Sequence, residues 1–251
     1  MVERSHLSAV ATFYAPGEWT ERLSLDESAA HHAVVKRLSA GDVVRLTSGD
    51  GRRATGVIAE LGKRRLEVTV DLASVEQVQA LPRIELWAPV ADRDRMLMLA
   101  EKSVELGVSA WRPVVYARSK SVSPRGEGRA FSDKVRLRQI SALEQSGGAW
   151  LPELHAEVEL QDALDSLAPT AVGSRLVLDA DGESLGALVS TLDTPVSIAL
   201  GPEGGLSEEE RAHFIRTGWR PVSLGANVLR FETAAIAAVA VVRSHLSWPP
   251  E

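Results

Sequence analysis

The chain has 251 residues, 45% of them hydrophobic and 25% charged, with a formal net charge of −6, a profile that fits a globular protein of one or two domains. It contains no cysteine, which excludes disulfides, thiolate metal ligands and a cysteine nucleophile. The negative balance argues against coating nucleic acid by bulk attraction and leaves that role to a local basic surface.

The start, Met1-Val2-Glu3-Arg4-Ser5-His6, has charge but no apolar run behind it, unlike a signal peptide, so the cytoplasm is the expected compartment. The first eighty residues read as a β-rich module. Short runs at Phe13–Ala15, Val43–Leu46, Ala54–Ala59 and Leu66–Val70 are separated by Gly-Asp, Asp-Gly and Gly-Lys turn signals, as in a small barrel. One helix, Asp26 to Leu38, is expected among them, capped by Ser24 or Asp26 and ended before Gly41. Arg45, Arg52, Arg53, Lys63, Arg64 and Arg65 cluster around the turns. Such residues serve either as a solvated surface or as phosphate contacts, which need positive charge and no particular sequence. His31-His32 has no partner set for a metal, and none is expected. Residues 73–82 are polar and read as a linker.

From Arg83 the pattern changes. Apolar runs at Ile84–Val90, Pro113–Tyr116, Arg175–Asp179, Val196–Leu200 and Val222–Leu224 alternate with helical periods, which predicts a mostly parallel sheet covered by helices. A helix from Asp92 to Leu106 is capped by Asp92 and stopped by Gly107, with Met96 and Met98 read as core fillers. Glu101 and Glu105 share a helix face with Lys102 beside them, which reads as an ion pair rather than an acid–base pair. Between Arg118 and Arg129 lies a Ser-, Gly- and Pro-rich basic loop, readable as a polar surface loop or as an arm closing on a ligand. The next helix, Ser132 to Ser146, places Arg136, Arg138 and Gln139 at exposed-looking positions and ends at Gly147-Gly148.

Two loops stand out near the end. Leu200-Gly201-Pro202-Glu203-Gly204-Gly205-Leu206-Ser207 and Leu224–Thr233 each follow an apolar run and lead into a helix, so both lie where α/β sheets bind ligands, at the carboxyl ends of strands. Three glycines in five residues let the backbone pass close to a flat ligand. Ser207 with Glu210 forms a capping box, starting the following helix at about Ser207. The spacing fits neither a P-loop nor a dinucleotide fingerprint. The last helix, Thr233 to Leu246, is apolar on most of its circumference and calls for cover on more than one side. Its apolar run is too short to span a bilayer.

These two loops resemble those of the ribosomal small subunit RNA methyltransferase E family, of the SPOUT superfamily. Glu101–Val108, Arg118-Ser119, Glu144-Gln145-Ser146-Gly147 followed by Pro152, and His32, Arg37, Gly41 and Asp50-Gly51 extend the likeness over nearly the whole chain. The resemblance implies a PUA-like RNA-binding β-barrel over residues 1–76 and an α/β SPOUT-type knotted parallel sheet, with helices on both faces, over 82–251. It implies S-adenosyl-L-methionine (SAM) as cofactor and N3 of a uridine in the decoding region of 16S rRNA as acceptor, the rRNA being met in the assembled small subunit. It implies a homodimer with no membrane association. The alternatives are a non-catalytic RNA-binding protein and a SPOUT methyltransferase acting on another RNA. Within the family, Leu178, Leu200, Gly201, Pro202, Gly204, Gly205, Leu224, Gly225, Val228 and Leu229 are the expected cofactor contacts. Glu203 and Arg230, charged groups inside the two loops, are the expected catalytic pair. His32, Arg37, Arg118, Lys120 and Gln145 are the expected RNA contacts.

Overall fold

The computed structural model describes residues 11–119, 129–167 and 172–246. The chain divides into two compact units, one of residues up to 80 together with 140–151, the other of 81–139 with 152 onward.

The first unit is a six-stranded sheet of β1 (Thr12–Tyr14), β2 (Arg22–Leu25), β3 (Val43–Thr47), β4 (Arg52–Leu61), β5 (Leu66–Val70) and β6 (Glu76–Gln77). The order is β1-β3-β4-β5-β2, with β6 beside β4. β1 runs parallel to β3 and the other pairs are antiparallel. Period-two alternation sends Val44, Leu46, Ala54, Ile58, Leu66 and Val68 to one buried face. Helix α1 (Glu27–Val35) covers that face with Ala29, Ala30 and Ala33, small enough to let its backbone sit close. Asp26 caps α1, its Oδ1 accepting from the Ala29 N–H at 3.0 Å. The helix ends at Val35, short of the expected Leu38, because Arg37 turns to a φ of 58°. Strand β2 was not expected, since Arg-Leu-Ser-Leu offers only two apolar positions.

Residues 140–151 belong to this unit by their hydrogen bonds. Glu144 accepts from the Tyr14 N–H at 2.9 Å, and Arg53 Nη2 donates to the Gly147 carbonyl at 2.6 Å. The Thr47 hydroxyl donates to the Gly148 carbonyl at 2.9 Å, and the Leu151 N–H to the Gly49 carbonyl at 2.8 Å.

The second unit is a wholly parallel sheet. Its elements in chain order are β7 (Ile84–Pro89), α2 (Arg93–Glu105), β8 (Ala110–Val115), α3 (Arg129–Ser146), β9 (Glu153–Leu154), β10 (Val158–Glu159), α4 (Leu160–Asp165), β11 (Ser174–Ser184), α5 (Leu185–Leu188), β12 (Val196–Leu200), α6 (Glu208–Arg216), β13 (Arg220–Ser223) and α7 (Phe231–His245). The last seven residues of α3 pass into the first unit. The strand order is β10-β8-β7-β12-β11-β13, with β9 beside β8. Alternate residues feed two cores. Leu86, Leu176 and Ile198 face α2, α5 and α7, whereas Trp87, Val177 and Ala199 face α4 and α6.

Asp92 caps α2 as expected, accepting from the Arg95 N–H at 3.1 Å. Lys102 Nζ pairs with Glu101 at 2.9 Å and with Glu105 at 2.8 Å, the ion-pair reading of those carboxylates. Met96 is core, but Met98 is half exposed, since it falls one helical face away. Gln139, expected on the surface, is fully buried. Arg243 of α7 donates to the carbonyls of Pro82, Leu106 and Gly107 at 2.8, 3.2 and 2.7 Å, tying the end of α7 to the end of α2. Burial pushes its guanidinium below the usual arginine range. Among the described residues no helix is long and apolar enough to cross a membrane.

Candidate active site

A cavity of about 430 Å³ opens at the carboxyl ends of β11, β12 and β13, the crevice where parallel sheets bind ligands. Its size suits a nucleoside-scale molecule. The loop after β12 contributes Leu200, Gly201, Pro202, Glu203 and Gly205. The loop after β13 contributes Leu224, Gly225, Val228, Leu229 and Arg230, and β11 contributes Leu178. The structure thus brings together every residue expected of the cofactor loops and the catalytic pair except Gly204. That glycine turns away: a Cβ there would lie 3.0 Å from the Cβ of Arg118.

Local chemistry fixes these walls. Ser207 Oγ accepts from the Glu210 N–H at 3.2 Å, and Glu210 Oε2 accepts from the Ser207 N–H at 2.7 Å, the expected capping box opening α6. Gly205 closes a turn onto the Pro202 carbonyl at 2.8 Å with a φ of +68°, a conformation that costs any side chain-bearing residue strain. A Cβ on Gly205 or Gly225, both of which line the cavity, would meet nothing within 4 Å. Leu178, Leu200 and Leu224 supply apolar wall.

The charged groups divide into held and free. Glu203 Oε1 lies 3.5 Å from Arg95 Nη1 on α2, and the same guanidinium has Nε 3.8 Å from Glu232 Oε1 in the first turn of α7. Glu232 is buried, with Oε2 lacking a hydrogen-bond partner. Arg230 is the N-cap residue of α7, its carbonyl accepting from the Ala234 N–H at 2.8 Å, while its exposed side chain has no hydrogen-bond or ion-pair partner among the described residues. On the opposite wall Arg211 pairs with Asp179, whose side chain is only 4% exposed. Tyr116, under the neighbouring turn, is fully buried, and burial pushes its phenol far above the ordinary value, with the Glu210 charge adding to the effect. Its hydroxyl therefore stays protonated.

Asp179, Asp181, Arg211, Phe231 and Ala234 also line the cavity and escaped sequence reasoning, as did Arg95. For Asp179 a signal existed, an acidic residue just past the apolar stretch of β11 that pairs with β12. Arg95 and Arg211 lie on helices whose facing only the packing reveals.

Of the expected RNA contacts, His32, Arg37 and Gln145 belong to the first unit. His32 lies on α1 with Nδ1 3.1 Å from Glu144 Oε2 and its ring centroid 5.2 Å from that of Phe13. Arg37 follows α1 and is exposed, as is Gln145 on α3. Arg118 belongs to the second unit, where Nη1 donates to the carbonyls of Gly204 and Leu206. Lys120 lies outside the described residues.

Comparison with known proteins adds the following. Residues 79–243 match the model of an RNA methyltransferase domain and residues 25–71 that of an RNA methyltransferase PUA domain. Ribosomal RNA small subunit methyltransferase E of Rickettsia conorii is 24% identical over 92% of this chain and 93% of its own. A methyltransferase of Legionella pneumophila, solved with bound SAM, is 30% identical with a TM-score of 0.83, covering 95% of this chain and 98% of that one. Ribosomal RNA small subunit methyltransferase E of Neisseria gonorrhoeae, solved with S-adenosyl methionine, is 28% identical with a TM-score of 0.82, covering 93% and 97%.

Proposed function

The chain belongs to the RNA methyltransferase family of ribosomal RNA small subunit methyltransferase E, with its SPOUT-type α/β fold and N-terminal PUA domain, and from that membership we propose that it is a SAM-dependent methyltransferase acting on N3 of a uridine in 16S rRNA. The observation that carries the reading is the glycine-lined, leucine-walled cavity with Arg230 on its wall, its side chain unpaired among the described residues.

The residues present fit the cofactor. A Cβ on Gly205 or Gly225 would meet only open space, and Leu178, Leu200 and Leu224 offer apolar wall for a flat base. SAM, when bound, supplies an electrophilic methyl group on a sulfonium. The remaining work falls to the chain: to hold donor and acceptor in line, which removes several kcal/mol from a barrier (about 7–11 in the best intramolecular cases), and to handle the N3 proton. N3–H lies on the Watson–Crick edge, so the uridine is taken unpaired or extruded. In this reading Glu203, which lies 3.5 Å from Arg95, accepts that proton, and Arg230, on the same cavity wall, stabilises the resulting N3 anion.

RNA docking is assigned to the first unit, with His32, Arg37 and Gln145 as contacts. Two features of its turns sort the basic residues there. Arg52 and Arg65 are committed to Asp50 and Glu67 at 2.9 Å each, whereas Arg45 has no carboxylate within ion-pair distance among the described residues. A homodimer is part of the same reading. Helix α7 buries Phe231, Ala235, Ala238, Val239 and Val242 in its own unit and leaves Thr233, Ala237, Ala240, Val241 and Ser244 wholly or partly exposed, a second stripe at helical spacing. The cytoplasm and the assembled small subunit are the proposed setting.

The test joins two measurements. Calorimetric titration with SAM is expected to give one site per chain. Small subunits and naked 16S rRNA from cells lacking this gene, incubated with protein and SAM, are then mapped by mass spectrometry. 3-Methyluridine in 16S rRNA of the subunit is the expected product. Methylation at another atom or in another RNA, or no SAM binding, rejects the assignment.

A further inference from the structure

The turn after β8 and the glycine-rich loop after β12 hold each other through two charged side chains. Residues 116–119 form a closed turn: the Ser119 N–H donates to the Tyr116 carbonyl at 2.9 Å, and the Tyr116 N–H to Ser119 Oγ at 3.1 Å. From this turn Arg118 Nη1 donates to the carbonyls of Gly204 at 3.0 Å and Leu206 at 3.2 Å. In the reverse direction Glu210 of α6 takes the Ala117 N–H on Oε1 at 2.7 Å and the Ser207 N–H on Oε2, also at 2.7 Å. A cation thus serves two carbonyls of the loop, and a carboxylate serves one amide from each segment, so every bond is charge-assisted. The close approach explains Gly204, where any Cβ would press on the Arg118 Cβ at 3.0 Å.

We propose that Arg118 and Glu210 are positioning residues that set the shape of the 201–207 wall of the ligand cavity, and that Arg118 governs cofactor affinity instead of touching RNA. The proposal rests on the SAM reading for the identity of the ligand, while the clasp itself rests on the bonds above. Loss of Arg118 frees two loop carbonyls, and the wall relaxes into geometries that the ligand must reorder before it binds. Both bonds leave one nitrogen, Nη1, so Arg118→Lys keeps the charge and the donors but on a shorter, differently angled arm, and it rescues in part. Glu210→Gln keeps an oxygen for one amide and turns an NH₂ towards the other, so it too is intermediate.

Calorimetry with SAM and filter binding with 16S rRNA in the absence of SAM separate the roles. Arg118→Ala is expected to raise the Kd for SAM about tenfold or more, as the loss of charge-assisted bonds implies, with Arg118→Lys and Glu210→Gln between it and wild type and RNA affinity unchanged. A SAM Kd within about twofold of wild type, or a loss of RNA affinity with SAM binding intact, overturns the proposal. If Arg118→Ala fails to fold, the two conservative variants carry the same comparison. If wild type binds no SAM, the functional reading fails by itself. Amide exchange of residues 203–207 in the ligand-free protein then reads the clasp directly, faster exchange in Arg118→Lys and Glu210→Gln supporting it and unchanged exchange overturning it.

Discussion

Arg211 reaches from α6 to β11 so that one nitrogen, Nη1, lies 2.8 Å from Oδ2 and 3.0 Å from Oδ1 of Asp179. Asp179 also receives the Asp181 N–H on Oδ1 at 3.0 Å, so the carboxylate organises the irregular end of β11 along the cavity wall. Burying such a pair is close to neutral, but removing one partner strands a charge. Arg211→Met is expected to destabilise the protein by about 2–3 kcal/mol, below the fully buried range because the arginine is partly solvated. Adding Asp179→Leu should recover part of that loss. Urea midpoints of the single and double variants check it, and a single variant as stable as wild type would reject the role given to the pair.

Gly205 and Gly204 should respond to substitution for different reasons. Gly205→Ala forces a side chain into a φ of +68°, which costs roughly 1–2 kcal/mol of stability, and also places a methyl in the cavity. Gly204→Val strikes Arg118 and leaves the cavity itself untouched. Both should weaken SAM binding. Only for Gly204→Val should truncating Arg118 to Ala add little further loss, because the two changes damage one contact. A calorimetric double-variant cycle reads the difference.

Asp50 supplies a pH signature. Hydrogen bonds from Arg52 and from the Ser48 hydroxyl lower its pKa to about 2. A carboxyl depressed on folding contributes stability that is complete above its unfolded value, near 4, and is lost as pH falls through the folded value. The side chain is well exposed, so the contribution is about 0.2–1 kcal/mol. Asp50→Asn should therefore be less stable than wild type at pH 6, with the gap closing between about pH 4 and pH 2. A gap that persists unchanged to pH 2 in chemical denaturation rejects the assignment to this carboxylate.

The two stripes of α7 predict opposite outcomes for arginine substitutions. Ala238 is fully buried in its own unit, and Ala238→Arg should prevent folding by burying an unpaired charge. Val241 is partly exposed, and Val241→Arg should leave a folded monomer with reduced methylation. Light scattering with circular dichroism distinguishes the two. A wild-type protein that is monomeric and fully active at micromolar concentration rejects the dimer.

Much of the fold was legible because it depends on local rules. Asp26, Asp92 and Ser207 announce their helices through side-chain oxygens placed to accept from the first turn, and Val196–Leu200 is apolar enough to be nothing but a buried strand. Strand β2 and the short helices α4 and α5 escaped, being too short for any period to register. The cavity walls were legible from two glycine-rich loops, but the groups that hold those walls were not. Arg118, Arg95 and Arg211 act across long sequence separations, and an arginine contacting a carbonyl carries the same sequence signature as one facing solvent. Glu144 illustrates this as well. It sits in a stretch prominent for its motif, yet its acceptor role is to the Tyr14 amide, 130 residues earlier.

The first unit is consequently not a bead that can be cut from the string. During synthesis its eighty leading residues emerge well before 140–151, and residues 81–139 must be made in between. Until then the Tyr14 amide, the Thr47 hydroxyl and the Arg53 guanidinium await partners that come from the end of α3 and the two glycines after it. A chimera that grafts the leading eighty residues of a relative onto this chain would pair foreign strands with native 140–151, so exchange needs two crossover points rather than one. By the same token a protein begun at Leu81 would carry Glu144, Gly147 and Gly148 with their bonding partners removed, and any fall in its activity would mix the loss of RNA affinity with the unravelling of a helix end.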